Sequence, residues 1–494
     1  MGKVPSWYVT VITIKKKNEV YLTVDAEQHV HHELSDYFTF EVPSAKFLQR
    51  TKRYRRWDGK IRLYSPGTGD IYVGLLNYLQ DWCQERGYEY KFESNEHFGL
   101  PSEENQFVTP QSVAGFVKSL DLPVQVRDYQ YRAIYESLRY NRRLLLSPTA
   151  SGKSLMIYSL VRFHVNVNRR VLIVVPTTSL VEQMYKDFAD YGWKVDVFCY
   201  KIYAGESKNN NHYVTISTWQ SIYKQPRKWF EQFDVIVGDE AHLFKAKSLT
   251  TLMTKLHKCK YRIGFTGTLD GSECNQLVLE GLFGRCSQVT RTKTLMDKGQ
   301  VASLKVKILV LKHDYIPFET YQEEMDYLVS HEQRNKFIMR LTKDLRGNTL
   351  VLFNYVERHG IPLYELLNSN VSQPVHLVHG GVDVDDREKI RALAEETNDN
   401  IIVASYGTFS TGINIKNLHN VIFASPSKSR VRNLQSIGRV LRKGDNKSQA
   451  VLYDIADNIS RNQFHNYTLN HLFERVKVYK DEKFDYEIID VKLR

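Results

Sequence analysis

The chain has little cysteine, five residues in 494. Cys83, Cys199, Cys259, Cys274 and Cys286 are scattered, with no Cys-x-x-Cys pair. That spacing argues against a zinc site or a disulfide framework, and unpaired thiols suit a reducing cytoplasm. There is no run of eighteen apolar residues, so no membrane partner is expected. The opening stretch Met1–Lys17 places its charges after the apolar residues, the wrong order for a secretory signal. Met1-Gly2 with Ser6 loosely fits an acylation pattern, but Val9–Ile14 alternates like a strand and reads as part of a fold. Low-complexity tracts and short-period repeats are also missing. Acidic charge is the scarcer sign: 56 Asp+Glu against 68 Lys+Arg leave +12, a balance that suits a polyanionic partner. Hydrophobic residues make up 42% and charged residues 25%, ample for two or three globular domains with their own cores.

Composition shifts divide the chain. Residues 1–100 hold short alternating runs and one dense basic segment, and read as an N-terminal domain. The polar, acidic stretch Glu93–Pro110 reads as a linker, extended here to residues 101–119. From about Leu120, short apolar strands alternate with helical segments, the signature of a parallel α/β sheet. The pattern occurs twice. Arg143–Ser147, Val171–Val175, Val214–Ser217, Val235–Gly238 and Arg262–Phe265 form the first set. Thr349–Phe353, Val375–Val378, Ile401–Ala404, Val421–Ala424 and Ala450–Tyr453 form the second. The expected domains are therefore 120–298 and 299–456, with a boundary near Lys298–Ser303 and a helical C-terminal extension over 457–494. In that extension, Asp457–Tyr479 carries apolar residues spaced like a buried stripe. In open parallel sheets the loops after the strands line the ligand crevice.

Three motifs carry chemistry. Leu144–Leu146 is an apolar strand, followed by Ser147-Pro148-Thr149-Ala150-Ser151-Gly152-Lys153-Ser154 and an amphipathic helix. Backbone N–H groups of such a loop and the positive helix end cradle a phosphate. Lys153 would reach the phosphates and Ser154 would ligate Mg²⁺. Ser147 stands where the usual pattern has its first glycine, and the bland alternative is a helix start that happens to read Gly-Lys-Ser. Asp239-Glu240-Ala241-His242 follows the strand Val235–Gly238. There Asp239 can hold Mg²⁺ and Glu240 can orient the attacking water. In the second α/β unit, Gln435-Ser436-Ile437-Gly438-Arg439-Val440-Leu441-Arg442 puts Arg439 and Arg442 on one helical face. They are either a solvated basic face or arginine fingers that stabilise charge on a departing γ-phosphate. The second unit has no Gly-Lys-Ser loop, so one ATP serving both units is the economical reading.

With these residues in place, the chain resembles the superfamily-2 helicases over roughly residues 120–455. Arg127-Asp128-Tyr129-Gln130 is similar to the adenine-reading Q motif, with Arg127 and Gln130 as base contacts. Pro148–Ser154 is similar to motif I, Pro176-Thr177-Thr178 to motif Ia, and Thr218-Trp219-Gln220-Ser221 to a later track-binding motif. Asp239–His242 resembles a DEAH-type motif II. Thr266-Gly267-Thr268 stands where the family has Ser-Ala-Thr or Thr-Ala-Thr. Ser410-Thr411-Gly412-Ile413-Asn414 is similar to motif V and Gln435–Arg442 to motif VI. The resemblance implies two tandem RecA-like parallel-sheet motor domains in an α/β fold. Thr149–Ser154 and Gly412 would lie at the nucleotide, with Lys153, Asp239, Glu240, His242, Gln435, Arg439 and Arg442 as the hydrolytic set. A closer likeness, to the recombination helicases of T-even bacteriophages, rests on Arg53–Leu63, Val175–Thr178, Ile401–Gly407, Gly438–Lys443 and Asp481–Phe484. It implies a small N-terminal α/β DNA-binding domain and ATP-dependent work on forks, Holliday junctions and R-loops, in recombination, repair and replication. It also implies RNA as a component of R-loops, a monomeric motor unit, and the host cytoplasm as the compartment.

Between residues 46 and 62, eight basic residues (Lys46, Arg50, Lys52, Arg53, Arg55, Arg56, Lys60, Arg62) face one acid, Asp58, with Tyr54, Trp57 and nearby Tyr64 interleaved. Cations bind phosphates, and aromatic faces stack on unpaired bases. The alternative is a basic hairpin with Trp57 in its own core and Asp58-Gly59 as the turn. In the motor, Thr177, Thr218, Trp219 and Thr411 are expected to hold the sugar-phosphate backbone, which carries no sequence information. Trp219 serves equally as a core anchor. An RNA helicase, a duplex translocase, a plain nucleic-acid binder and a small-molecule kinase are the rival readings. The last two leave the arginine pair or the second α/β unit unexplained.

Overall fold

The computed structural model describes residues 11–42, 45, 57–93, 105–203, 205–412, 415, 417–427, 429–441, 449–460 and 465–493, without the side chains of 384, 410–412, 430–432 and 439. Two compact units emerge: residues 1–147 with 152–289, and residues 148–151 with 290–494.

The first unit begins with β1 (Val11–Lys16), β2 (Tyr21–Asp25), β3 (Thr39–Glu41), β4 (Lys60–Arg62), β5 (Tyr64–Ser65), β6 (Asp70–Tyr72) and β7 (Glu89–Phe92). Five of these form a mixed sheet in the order β5-β6-β2-β1-β7, while β3 and β4 pair separately. The alternation in β1 and β2 turns Ile12, Ile14, Leu22 and Val24 inward, against Val30 and Leu34 of the helix Gln28–Tyr37 and Leu79 and Trp82 of the helix Leu76–Arg86.

The motor sheet of this unit contains β8 (Arg142–Leu146), β9 (Val171–Val175), β10 (Cys199–Ile202), β11 (Val214–Thr218), β12 (Val235–Asp239), β13 (Tyr261–Thr266) and β14 (Cys286–Gln288). All are parallel, in the order β10-β11-β9-β12-β13-β8-β14. Helices cover both faces of such a sheet, which is why β9 and β12 read as unbroken apolar runs. The five strands expected from sequence are present. The short β10 and β14 are additions on its two edges.

The N-terminal domain shares its core with this motor domain. Ile12, Val30, Trp82, Leu144, Phe244 and Phe283 belong to one continuous buried cluster. Across it, Arg142 donates to the Glu19 carbonyl at 2.8 Å and to its carboxylate at 2.6 Å. The Tyr78 hydroxyl donates to Glu280 at 2.8 Å. At Gly74 the two backbones nearly touch: a Cβ there would stand 1.9 Å from the Glu280 carbonyl oxygen. Of the stretch expected to be a linker, 101–119, the described residues 105–119 are also built in. The helix Pro110–Ser119 starts on a reciprocal Thr109/Ser112 cap and buries Val113 and Val117, and Asn105 donates to Asn141 and to the Arg139 carbonyl. The polar composition of the stretch masked an apolar pair spaced four apart.

The second unit holds β15 (Ser303–Lys312), β16 (Thr349–Phe353), β17 (Val375–Val378), β18 (Ile401–Ser405), β19 (Asn420–Phe423), β20 (Gln449–Asn458) and β21 (Asp485–Lys492). These too are all parallel, in the order β17-β18-β16-β19-β20-β15-β21. The unit begins at Thr290, ahead of the expected Lys298 boundary, because β14 completes the first sheet and the helix Thr292–Asp297 follows it. The extension 457–494 is not purely helical. Its helix, Tyr467–Asp481, buries Leu469, Leu472, Val478 and Tyr479, and β21 then pairs with β15 to become an edge strand of the sheet. Glu324, fully buried, accepts from the Tyr467 and Thr468 N–H groups at 2.8 Å each, satisfying donors that open the helix.

Candidate ATP and nucleic-acid sites

The loop after β8 is shaped by two left-handed residues, Ala150 (φ 66°) and Gly152 (φ 84°). A non-glycine residue in that region is uncommon and stores strain, a habit of functional loops. At Gly152 the positive φ favours glycine, and a Cβ would fall 2.2 Å from Gln130 Nε2, so the end of that side chain would have to shift. The base of the loop is tied down where Ser147 N–H donates to the Thr266 carbonyl at 2.8 Å, and Ser151 N–H donates to the Pro148 carbonyl at 3.2 Å. Lys153 and Ser154 then open the helix Lys153–Asn166.

Neighbouring strand ends bring the acids to this loop. Lys153 Nζ lies 3.2 Å from Glu240 Oε1. Glu240 is itself left-handed (φ 50°) and its N–H donates to Asp239 Oδ1 at 2.9 Å. His242 Nδ1 is 3.1 Å from Thr266 Oγ1 and 3.4 Å from Glu240 Oε2. The Thr266 hydroxyl also donates to the Thr268 carbonyl, so Asp239–His242 touches the Thr-Gly-Thr segment directly through His242. A methyl at Gly267 would meet Ser147 and Lys153 only at 3.7 and 3.8 Å, ordinary contact, so glycine here fulfils no steric demand.

The two carboxylates are pushed in opposite directions. Burial raises Asp239, and the Glu240 charge adds to this while Lys153 opposes it. Burial would raise Glu240 as well, but Lys153 and His242 hold it well below the usual carboxylate range. Glu240 Oε2 is buried, with His242 Nδ1 3.4 Å away. A buried carboxylate disfavoured as an anion, beside a lysine at a helix start, is a donor set that fits a phosphate accompanied by a hard divalent cation.

Gln130 is buried, and its Oε1 accepts from Arg127 N–H at 2.8 Å, while the Arg127 guanidinium donates to Tyr129 Oη at 2.8 Å. The Q-like segment therefore abuts the phosphate loop itself. Thr177 caps the helix Thr178–Asp190. Thr218 is only 6% exposed, and its hydroxyl is engaged with Ser221 at 2.9 Å, so it presents no free side chain. Trp219 is half-buried on the core, edge-on to Tyr223. In the second unit Gln435 and Arg439 lie on the helix Arg430–Val440. The Arg439 side chain, the side chains of Thr411 and Gly412, and all of Arg442 fall outside the described residues, as do Lys46, Arg50, Lys52, Arg53, Tyr54, Arg55 and Arg56.

Of the basic segment, Trp57–Arg62 is described. Trp57 is half-buried and donates from Nε1 to the Lys60 carbonyl at 2.9 Å. Asp58 accepts from Lys60 N–H and pairs with Arg62, leaving Lys60 exposed. Asp58-Gly59 is not a tight hairpin turn, because Val42 N–H donates to the Gly59 carbonyl and extends the β3/β4 ladder through it. Tyr64 does not stack on bases: it is 2% exposed, with its hydroxyl on His31. Sequence reasoning missed Tyr191, whose hydroxyl lies 3.1 Å from Ser154 Oγ. No motif marks it.

Two parallel seven-stranded sheets, with the lysine-bearing loop Ser147–Ser154 beside the Asp239-Glu240 strand end in the first, are the frame on which the comparisons place a superfamily-2 ATP-dependent helicase. Residues 123–271 match the family model for the type III restriction enzyme res subunit, and residues 333–444 that for the helicase conserved C-terminal domain. Residues 11–93 match the N-terminal domain of the DNA helicase UvsW. The ATP-dependent DNA helicase UvsW of Enterobacteria phage T4 is 34% identical over 501 residues, covering 96% of this chain and 98% of its own. The crystal structure of T4 UvsW aligns with 98% of this chain and 100% of that one, at 32% identity and a TM-score of 0.51. The DNA 3'-5' translocase XPB2 of Sulfurisphaera tokodaii is 20% identical over 67% of this chain and 81% of its own. The chain belongs to the UvsW family of DNA helicases. No described helix is long and apolar enough to cross a membrane.

Proposed function

We propose that this helicase remodels branched DNA (forks, Holliday junctions and R-loops) as a monomeric motor unit driven by ATP with Mg²⁺. The observation that carries this reading is that the likeness to T4 UvsW runs from end to end and includes the N-terminal domain, which is fused through one core to the ATP-binding motor domain. A DNA-gripping domain built this way moves as part of the motor that it serves.

In this reading Lys153 and the N–H groups of residues 149–154 hold the β/γ-phosphates, while Ser154 and Asp239 hold the metal, which neutralises charge on the phosphates. Glu240, kept anionic by Lys153 and His242, orients the attacking water. His242, through Thr266, passes the state of the site to the Thr-Gly-Thr segment. Gln435, Arg439 and Arg442 are the residues assigned to the charge on the departing phosphate, and Gly412 is assigned to the nucleotide. Arg127 and Gln130 sense the base. Arg53, Arg55, Arg56, Trp57 and Lys60 grip DNA in the N-terminal domain, with Thr177, Trp219 and Thr411 along the motor; Thr218, buried and engaged with Ser221, is left out of that set.

Steady-state ATP hydrolysis tests this, measured at fixed salt without nucleic acid and with single strands, linear duplex, a fork, a four-way junction and RNA. The expected result is strongest stimulation by the fork or junction, abolished in Lys153→Ala. Stimulation by RNA alone would transfer the protein to RNA work, and hydrolysis indifferent to every nucleic acid would sink the proposal.

A further inference from the structure

Ser154 and Tyr191 meet through their hydroxyls at 3.1 Å, at the ends of two different helices of the first unit. Ser154 is the second residue of the helix Lys153–Asn166. Tyr191 lies just past the end of the helix Thr178–Asp190, where its N–H donates to the Asp187 carbonyl. The tyrosine is held at three points. Its ring leans on Tyr158 at 5.1 Å, its carbonyl accepts from the Tyr158 hydroxyl at 3.5 Å, and its own hydroxyl meets Ser154 Oγ at 3.1 Å. Tyr158, four residues beyond Ser154 on the same helix face, is fully buried and wedged edge-on between Phe188 and Trp193, with Arg162 on its hydroxyl. The side chain that touches Ser154 is therefore held by an aromatic cluster.

We infer that Tyr191 is a positioning residue for the metal-binding serine: its hydroxyl fixes the rotamer of Ser154 and takes the serine's proton in a hydrogen bond, leaving an oxygen lone pair for the divalent cation. This deepens the reading of residues 147–154 as the phosphate loop and rests on it. A serine hydroxyl that ligates a cation must turn its proton away from it, and that proton needs an acceptor. Tyr191 Oη is within hydrogen-bond distance, and its oxygen lone pairs can accept that proton. The placement has a second consequence. Tyr191 ends the helix that Thr177 caps, so a proposed track contact and a proposed metal ligand sit at opposite ends of one rod about 20 Å long.

The test is Tyr191→Phe, which keeps the ring and removes the hydroxyl, in the full-length protein. Mg²⁺ is titrated against binding of a fluorescent ADP analogue, and Mn²⁺ binding is followed by electron paramagnetic resonance. The expected result is a rise of about five- to tenfold in the metal concentration at half-saturation, the loss of one hydrogen bond. Nucleotide binding in EDTA and the thermal midpoint should stay unchanged. Ser154→Ala should shift metal binding too, and Tyr191→Phe added to it should change nothing more. A metal dependence unchanged in Tyr191→Phe, or shifted equally in the Ser154→Ala background, overturns the proposal while leaving the phosphate-loop reading intact. A metal dependence unchanged in Ser154→Ala overturns both.

Discussion

Gly74 offers a severe steric test of how the N-terminal domain is attached. A methyl placed there would stand 1.9 Å from the Glu280 carbonyl oxygen, 2.7 Å from that of Gly281 and 2.9 Å from the Glu280 carbonyl carbon. All three are backbone atoms, so no side chain can swing aside, and ordinary contact needs about 1.5 Å or more of separation between the segments. Overpacking typically costs 1–3 kcal/mol, and a clash with fixed backbone belongs at or above the top of that range, so Gly74→Ala should destabilise the first unit by about 3 kcal/mol. The control is the same substitution at Gly115, in the helix Pro110–Ser119, where a methyl meets nothing within 4 Å. There the helix preference of alanine should stabilise by about 0.5–1 kcal/mol. Urea unfolding followed by tryptophan fluorescence reads both, and limited proteolysis reads release of the N-terminal domain. A Gly74→Ala protein within about 0.5 kcal/mol of the parent would refute the inference that the two domains are locked through this contact.

In the second unit Arg334 and Asp457 are fully buried, 2.8 Å apart, with His313 on the same carboxylate. Asp457→Asn should cost about 3–5 kcal/mol by leaving the guanidinium uncompensated, and a loss below about 1 kcal/mol in urea unfolding would contradict this. His359 in the same region is depressed to about 3, first by burial and then by the Arg334 charge. Its folded value lies below the unfolded one, so its contribution is complete above pH 6.5 and declines as the pH falls from there toward 3, by about 2 kcal/mol between pH 6.5 and 5. His359→Asn should flatten the dependence of stability on pH over that interval, and an unaltered slope would show that the histidine is not buried neutral.

The engine was legible because its residues are local. Val171–Val175 and Val235–Asp239 are unbroken apolar runs and Ser147–Ser154 is a contiguous loop, so period and motif suffice to place them. Strand β15 illustrates what was not legible. Its lysines Lys305 and Lys312 pair with Glu487 and Asp490 of β21, far along the chain, and nothing nearby foretells a strand whose charges are answered there. The same limit hid Tyr191, an ordinary tyrosine until a distant helix start brings Ser154 to its hydroxyl. It also placed Tyr64 among the aromatics interleaved with the basic run, when the fold uses it as core.

The sequence alone thus determined the two parallel-sheet domains, the order of the candidate ATP-site segments and the basic, aromatic character of the segment before them, since each is written in neighbouring residues. Only the tertiary structure decided that the N-terminal domain shares the core of the first motor sheet, that β21 returns as an edge strand, and that Tyr191 meets Ser154. Those outcomes depend on which surfaces meet, and a contact between residues far apart in sequence leaves no periodic trace in either of them.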